Sequence, residues 1–309
     1  MAVGRPLNSQ IRVLTAKLET TLGTAETLTN AEAGFRVRDR QMKIFQGVEE
    51  VEAQGTLGQT TGVPSDSHSE LTFSMWAHGK GATGLPAWAS VFLPSCCMPV
   101  TSLTYALAAS TADWKTITAG SYINGRRMLG RGMMGTCVMS ASAGKPLDLK
   151  FSYKGGVDAI PETDTAILTG MSYTAGNPPL MGGASTVTLA SSTDFVVNSF
   201  ELDLGIDVQL REDANSPGGY LCGWASNVKP MIKLDPEATL FATKDWYALR
   251  RAATTNAIVI VLNGGANNTI TITAGTCQPV EVDDADRGGK LVDALGFRVL
   301  NNSLSIAFS

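Results

Sequence analysis

The sequence predicts a mainly β protein built as two tandem domains, each with one short flanking helix. Three observations carry this. First, apolar and polar residues alternate strictly along several segments, the period of a strand with one buried face. The clearest is 200–210. There Phe200, Leu202, Leu204, Ile206, Val208 and Leu210 face one way, and Glu201, Asp203, Asp207 and Gln209 the other. Second, the composition suits sheets and tight turns. The chain has 32 glycines, is 44% hydrophobic and is only 17% charged, below the share of about a quarter usual for globular proteins. Third, the two halves repeat one order of signals: an alternating strand, a Pro-initiated amphipathic segment carrying Trp88 or Trp246, a strand, an Asn-Gly turn at Asn124-Gly125 or Asn263-Gly264, and further strands. A repeat of this length points to two similar domains rather than a solenoid. At 309 residues each half is long enough to bury a core.

The elements follow in order. Residues 11–18 read as a strand leading into the turn-like 21–24. The segment 35–45 places Phe35, Val37, Met42 and Ile44 on an apolar face whose phase changes near Asp39-Arg40, the mark of a turn or bulge. Residues 47–68 are polar and read as a long loop. Residues 69–77 alternate as a strand. Pro86 suits a helix start, with Trp88, Val91 and Phe92 on one face, and Pro94 ends it. Strands are expected at 116–123, 128–129, 137–140 and 147–153, giving a first domain of 1–155. Residues 156–183, with Pro161 and Pro178-Pro179, read as a linker, and 184–309 as the second domain. Its strands are expected at 185–189, 200–210, 258–262, 269–273, 279–282, 295–300 and 304–308. Residues 211–226 are the counterpart of the first long loop. Asp235 as N-cap, Pro236 and Glu237 point to a helix start there.

Composition and motifs exclude several functions. The net charge of −4 offers no basic field for nucleic acid. No apolar run is long enough to span a membrane as a helix, and the N-terminal residues carry no targeting signal. These features fit a chain made in the cytoplasm. The five cysteines, Cys96, Cys97, Cys137, Cys222 and Cys277, show no metal spacing and read as buried thiols. Gly130, Gly132 and Gly135 spell the dinucleotide fingerprint, but a strand-like segment follows where the fingerprint needs a helix N-terminus. Asp283, Asp284 and Asp286 lack calcium-loop spacing and read as a solvated turn. His68 lies beside Ser67, but no nucleophile elbow accompanies them and sequence neighbours on a strand point to opposite faces. No catalytic residue, cofactor or metal ligand is expected.

The ordered set of motifs resembles the major tail tube proteins of long-tailed, siphovirus-like bacteriophages. Glu19-Thr20-Thr21-Leu22-Gly23-Thr24 followed by Val37-Arg38-Asp39 is similar to the opening of that family. The strand 70–77 with Pro86-Ala87-Trp88 and Cys96 resembles its helix region, although Pro94 and the missing Gly after Cys97 depart from it. In the second half Lys229-Pro230-Met231-Ile232-Lys233-Leu234, Asp245-Trp246-Tyr247-Ala248 and Asn268-Thr269-Ile270-Thr271-Ile272 are also similar. The resemblance covers most of the chain.

It implies β-sandwich or part-barrel tube domains that join edge to edge into rings. Rings stack into a hollow tube that conducts DNA without sequence-specific binding. Two domains per chain imply a trimeric, pseudo-sixfold ring, with a true hexamer as the alternative. The partners implied are further copies of the chain and other tail proteins (tape measure, terminator and distal tail), and the location is the virion tail, assembled in the host cytoplasm. Glu201, Asp203 and Asp207 are then candidates for a repulsive lumen wall. Glu49, Glu50, Glu52, Gln54, Arg211, Glu212 and Asp213 are candidates for contacts between rings. A carbohydrate-binding, adhesin-like β-sandwich is the competing reading, disfavoured by an aromatic content of only 7%.

Overall fold

The computed structural model describes residues 7–49, 62–173, 178–179, 181 and 185–309. The first half supplies β1 (Arg12–Leu18), β2 (Val37–Glu49), β3 (Val63–Trp76), the helix α1 (Ala87–Phe92), β4 (Val100–Thr101), β5 (Thr104–Ala106), β6 (Ile117–Ile123), β7 (Arg126–Ser142) and β8 (Asp148–Asp164). The second half supplies β9 (Thr186–Leu189), β10 (Val197–Asp203), β11 (Ile206–Glu212), β12 (Tyr220–Val228), β13 (Met231–Pro236), the helix α2 (Trp246–Arg251), β14 (Asn256–Asn263), β15 (Thr269–Asp286), β16 (Leu291–Val299) and β17 (Leu304–Phe308). The protein is mainly β, and every strand pairing among the described residues is antiparallel.

The two halves pair their strands in the same order. In the first half the ladder runs β1, β6, β7, β8, β3, β2; in the second it runs β9, β14, β15, β16, β13, β10. Each helix precedes the third-last strand of its set, and the long strands β7 and β15 occupy the same place. The repeat seen in the sequence is therefore a repeat of connectivity.

Strands of the two halves also join each other. β7 pairs with β10, with Ala141 opposite Phe200 and Met139 opposite Leu202. β17 pairs with β5. The result is a 15-stranded sheet, with β11 and β12 forming a separate two-stranded sheet. One buried apolar cluster runs through both halves. α1 packs on both. Its Phe92 ring lies 4.8 Å from Phe73 and 5.3 Å from Phe151, while Trp88 lies 5.6 Å from Phe308 on β17. Trp88 Nε1 donates to the carbonyl of His78, and the Tyr153 hydroxyl donates to the carbonyl of Phe92, so the polar atoms these rings bury are satisfied.

Several expectations need correction. The strand expected over 200–210 is two strands. β10 stays in the large sheet, the chain breaks at Leu204-Gly205 with Gly205 at φ +56°, and β11 pairs with β12 instead. The inward positions stay buried or half-buried through the break, so the alternation persists although the strand does not. The helix does not begin at Asp235. Residues 231–236 are β13, and Asp245 caps α2, its carboxylate accepting from the Ala248 N–H at 2.7 Å. An Asx-Pro pair fits a helix start, but here β10 claims those residues: Pro236 lies opposite Val197, and the N–H groups of Asn198 and Ser199 donate to Asp235.

The loop expected over 47–68 is narrower, because β2 and β3 continue to Glu49 and from Val63. Likewise 211–226 is the β11–β12 hairpin with a short turn. The linker expected over 156–183 begins later, since Gly156 to Asp164 continue β8 as a partner of β7. That stretch pairs on one side only and lacks a core-facing alternation, which hid it. The strands expected at 128–129 and 137–140 are one bent strand, as are those at 269–273 and 279–282. Residues 264–268 form a loop rather than a two-residue turn. The phase change at Asp39-Arg40 is a bulge, with Asp39 at φ +48°.

A Cβ at Gly205 would meet the backbone of Lys229, whereas one at Gly144, also at positive φ, would meet nothing within 4 Å. Gly144→Ala should cost about 1 kcal/mol, the conformational penalty alone. Gly205→Ala should cost at least about 2 kcal/mol more, because backbone must move. Urea unfolding of the two variants checks the difference.

Candidate functional site

Two surfaces follow from the fold: the polar face of the large sheet, and the hairpin that the second half lays on the first. On the polar face, carboxylates and cations alternate. Glu201 lies 3.4 Å from Lys233 on the neighbouring β13, and Glu70 lies 3.4 Å from Lys154 on β8. Arg38 pairs with Asp148 and stacks over Trp76 at 4.5 Å. All are at least partly exposed, so each pair adds little stability. Their effect is to neutralise charge on a flat face.

The three acidic residues expected to share one strand face are separated. Glu201 keeps that place. The Asp203 carboxylate turns to accept the Gly205 N–H at 2.8 Å, closing the turn that breaks the strand. Asp207 lies on β11, outside the large sheet, and accepts from the Ser226 hydroxyl at 2.8 Å. The break at Gly205 is the physical reason.

The β11–β12 hairpin packs where β7 bulges between Arg131 and Met134. Of the glycine fingerprint, Gly132 serves this contact. Gly130, Gly132 and Gly135 all lie within β7, followed by strand and not by a helix. A Cβ at Gly132 would sit 2.7 Å from the Cβ of Cys222 on β12, and one at Gly156 would sit 2.6 Å from the carbonyl of Tyr220. The glycines let two backbones approach closely.

A polar node holds the same crossing. The buried Glu19 carboxylate accepts from the N–H groups of Gly23 at 2.9 Å and Gly132 at 2.7 Å, and from the hydroxyls of Thr116 and Thr118. Arg131 donates to the carbonyls of Gly23 and Val157 and lies 3.3 Å from Asp158. The Glu19–Thr24 motif is thus a structural clamp, its charge satisfied by four donors.

Of the residues expected to contact other rings, Glu49 ends β2, and Arg211 and Glu212 end β11. Glu50, Glu52 and Gln54 lie outside the described residues. Asp213 turns the hairpin. The N–H of Asn215 and the hydroxyl of Ser216 donate to it and hold its carboxyl below the usual carboxylate range. The Tyr220 hydroxyl donates to Asp66 at 2.7 Å, and its ring meets His68 edge-on at 6.1 Å. These contacts tie the first hairpin to the second.

No convergent chemistry accompanies these surfaces. The His68 imidazole lies 4.0 Å from Glu70 and points away from the buried Ser67. Among the described residues, no group of three or more His, Cys, Asp or Glu side chains could hold a metal ion, and no helix is long and apolar enough to cross a membrane. All five cysteines are buried and free. Burial pushes the thiols of Cys97 and Cys277 up to about 12, and raises those of Cys96, Cys137 and Cys222.

The strand edges were missed in the sequence reading. The signals were there, as Arg36, Arg38 and Arg40 at alternate positions and the acidic run at 283–286, but nothing in one chain says which edges remain unpaired. The sequence matches no protein-family model and no curated protein.

Two outcomes follow. A thiol reagent at pH 8 should label none of the five cysteines in the folded chain and all five in denaturant, because the thiolate is the reactive form; labelling stoichiometry checks this. Gly132→Ala should lower stability by roughly 2–4 kcal/mol and raise hydrogen exchange in β11 and β12 before other strands, read by exchange mass spectrometry.

Proposed function

We propose that this chain is a structural tail tube protein of a long-tailed bacteriophage, which assembles with copies of itself into stacked rings around a DNA conduit. One observation carries the reading: two units with the same strand order lie edge to edge in a single antiparallel sheet. A chain that already joins two like units by strand pairing has the geometry of a ring segment, with a heterologous contact that can repeat. The order of the motifs at 19–24, 37–39, 86–88 and 229–234 supports the same assignment. On this reading each unit is a sandwich-like tube domain, and three chains make a pseudo-sixfold ring.

The polar face of the large sheet is then the candidate lumen wall. DNA must pass without sticking, and each free cation facing it would add salt-dependent affinity. Pairing Lys233 with Glu201, and Lys154 with Glu70, removes such free cations. The wall is therefore charge-balanced rather than uniformly acidic. The hairpins ending at Glu49 and at Arg211–Asp213 are the candidates for contact with neighbouring rings, and the tape measure, terminator and distal tail proteins are the partners expected at the ends of the tube.

Negative-stain electron microscopy of concentrated protein should show rings or tubes with three chains per ring. A protein that stays monomeric at every concentration, and is absent from virion tails, overturns the reading. Within tubes, Glu201→Lys should leave folding intact, since the site is half-exposed. It should slow DNA ejection most at low salt, where phosphate contacts are strongest. Ejection timed by a DNA-binding dye at two salt concentrations measures this.

A further inference from the structure

The contact that joins the two halves inside one chain leaves its counterparts open at the chain's two outer edges. In the second half, β10 pairs with β13 on one side and β7 on the other. Its counterpart in the first half, β2, pairs with β3 and with no other strand among the described residues. In the same way β7 pairs with β6 along its first part and with β10 along its last part. Its counterpart β15 pairs with β14 along its first part, and among the described residues no strand follows on that side beyond Cys277. Accessibility agrees. Val138 to Ser142 on β7 are buried or half-buried, whereas Glu281 and Asp283 to Asp286 on β15 are exposed.

Register can be carried from one half to the other. Val282, Leu295, Leu234 and Phe200 form a core-facing row across four strands of the second half. Met139, Leu149, Met75 and Val37 form the matching row in the first. In both halves one further buried residue follows two positions later on the chain leaving for the helix, Pro236 after Leu234 and Ala77 after Met75. Superposing the rows turns the internal pairs Ser199 with Ser142, Phe200 with Ala141 and Glu201 with Ser140 into Arg36 with Ala285, Val37 with Asp284 and Arg38 with Asp283.

The charges on these edges are opposite. The β2 edge presents Arg36, immediately before the strand, and Arg38, which also pairs with Asp148 within the chain; β15 presents Glu281, Asp283, Asp284 and Asp286. Directly opposed and diagonal residues on antiparallel strands lie within reach of each other. Arg36 and Asp283 make no ion pair among the described residues, and the buried Nε of Arg38 has no hydrogen-bond partner. Soluble proteins usually blunt their free edges, and complementary charge on two of them points to each other.

We propose that the outer edge of β2 in one copy of this chain pairs antiparallel with the 283–285 edge of β15 in the next, in the register of the internal β7–β10 junction. This rests on the tube reading and names its ring contact. The bulge at Asp39 ends the pairing after Arg38. The contact is short and charged, where the internal one is apolar, so it forms after each chain has folded and weakens with salt.

Cysteine cross-linking and microscopy test it together. Arg36→Cys with Ala285→Cys places two exposed thiols opposite each other in a protein whose own thiols are buried. Oxidation should link chains covalently, closing at the ring number. Either single variant should not, nor should the register control Gln41→Cys with Ala285→Cys. Asp283→Arg should abolish the cross-link and ring formation, and adding Arg38→Glu opposite it should restore both, with circular dichroism confirming folding. Cross-links without tubes would keep the edge contact and sink the tube reading. Tubes without cross-links, or tubes indifferent to Asp283→Arg, would overturn the edge contact and leave the tube reading standing. Neither tubes nor cross-links would overturn both.

Discussion

The rest of the structure depends on the antiparallel ladder between β7 and β10. A single backbone hydrogen bond contributes only about 1 kcal/mol net, so the ladder by itself is weak. What makes it hold is that Phe200 and Leu202 are fully buried along it, each contributing roughly 1.5–3 kcal/mol. Their burial requires the strands of both halves to lie over one apolar cluster, and α1 completes that cluster by touching β3, β8 and β17 together. The ladder therefore turns two repeated units into a single cooperative core.

This arrangement constrains β7 more than any other strand. It must pair with β6 along its first part, with β10 along its last and with β8 along most of its length. A straight strand cannot serve β6 and β10 on the same side while a hairpin fills the gap between them. The bulge at Arg131–Met134 provides the bend, and Gly132 at φ +58° provides the backbone angle that other residues adopt only with strain. Glu19 and Arg131 then tie the bend to the β1 end and to the incoming hairpin. A carboxylate with four donors is costly to bury and costly to disturb, which fixes the crossing geometry as well as stabilising it.

The same constraint bears on assembly. A chain whose two halves associate through strand edges necessarily carries one unused edge of each kind. Those edges could be blunted or used. Here they carry opposite charge rather than the mixed charges that would isolate both of them, and each strand bulges beside its edge, β2 after Arg38 and β15 between Pro279 and Glu281. Charge also separates folding from association. On the proposed assembly the apolar internal contact forms within the chain at high effective concentration, whereas the charged outer one requires a second copy.

Local pattern made much of this legible in the sequence. Period-two alternation identified β3, the start of β8 and β10, apolar runs marked β1, β14 and β17, the repeat of signals was a true repeat of strand order, and the bulge at Asp39-Arg40 showed as a change of phase. These are properties of a chain and its nearest neighbours. What the sequence could not determine was which partner each strand takes. The break at Gly205, the helix start at Asp245 rather than Asp235, the continuation of β8 past Gly156 and the use of Gly132 for a backbone crossing all depend on residues distant in the chain. So does the separation of Glu201, Asp203 and Asp207. Alternation says that a residue faces outward; only the tertiary structure decides which sheet that face belongs to, because hydrogen-bond partners across strands are chosen by the packing of the whole core.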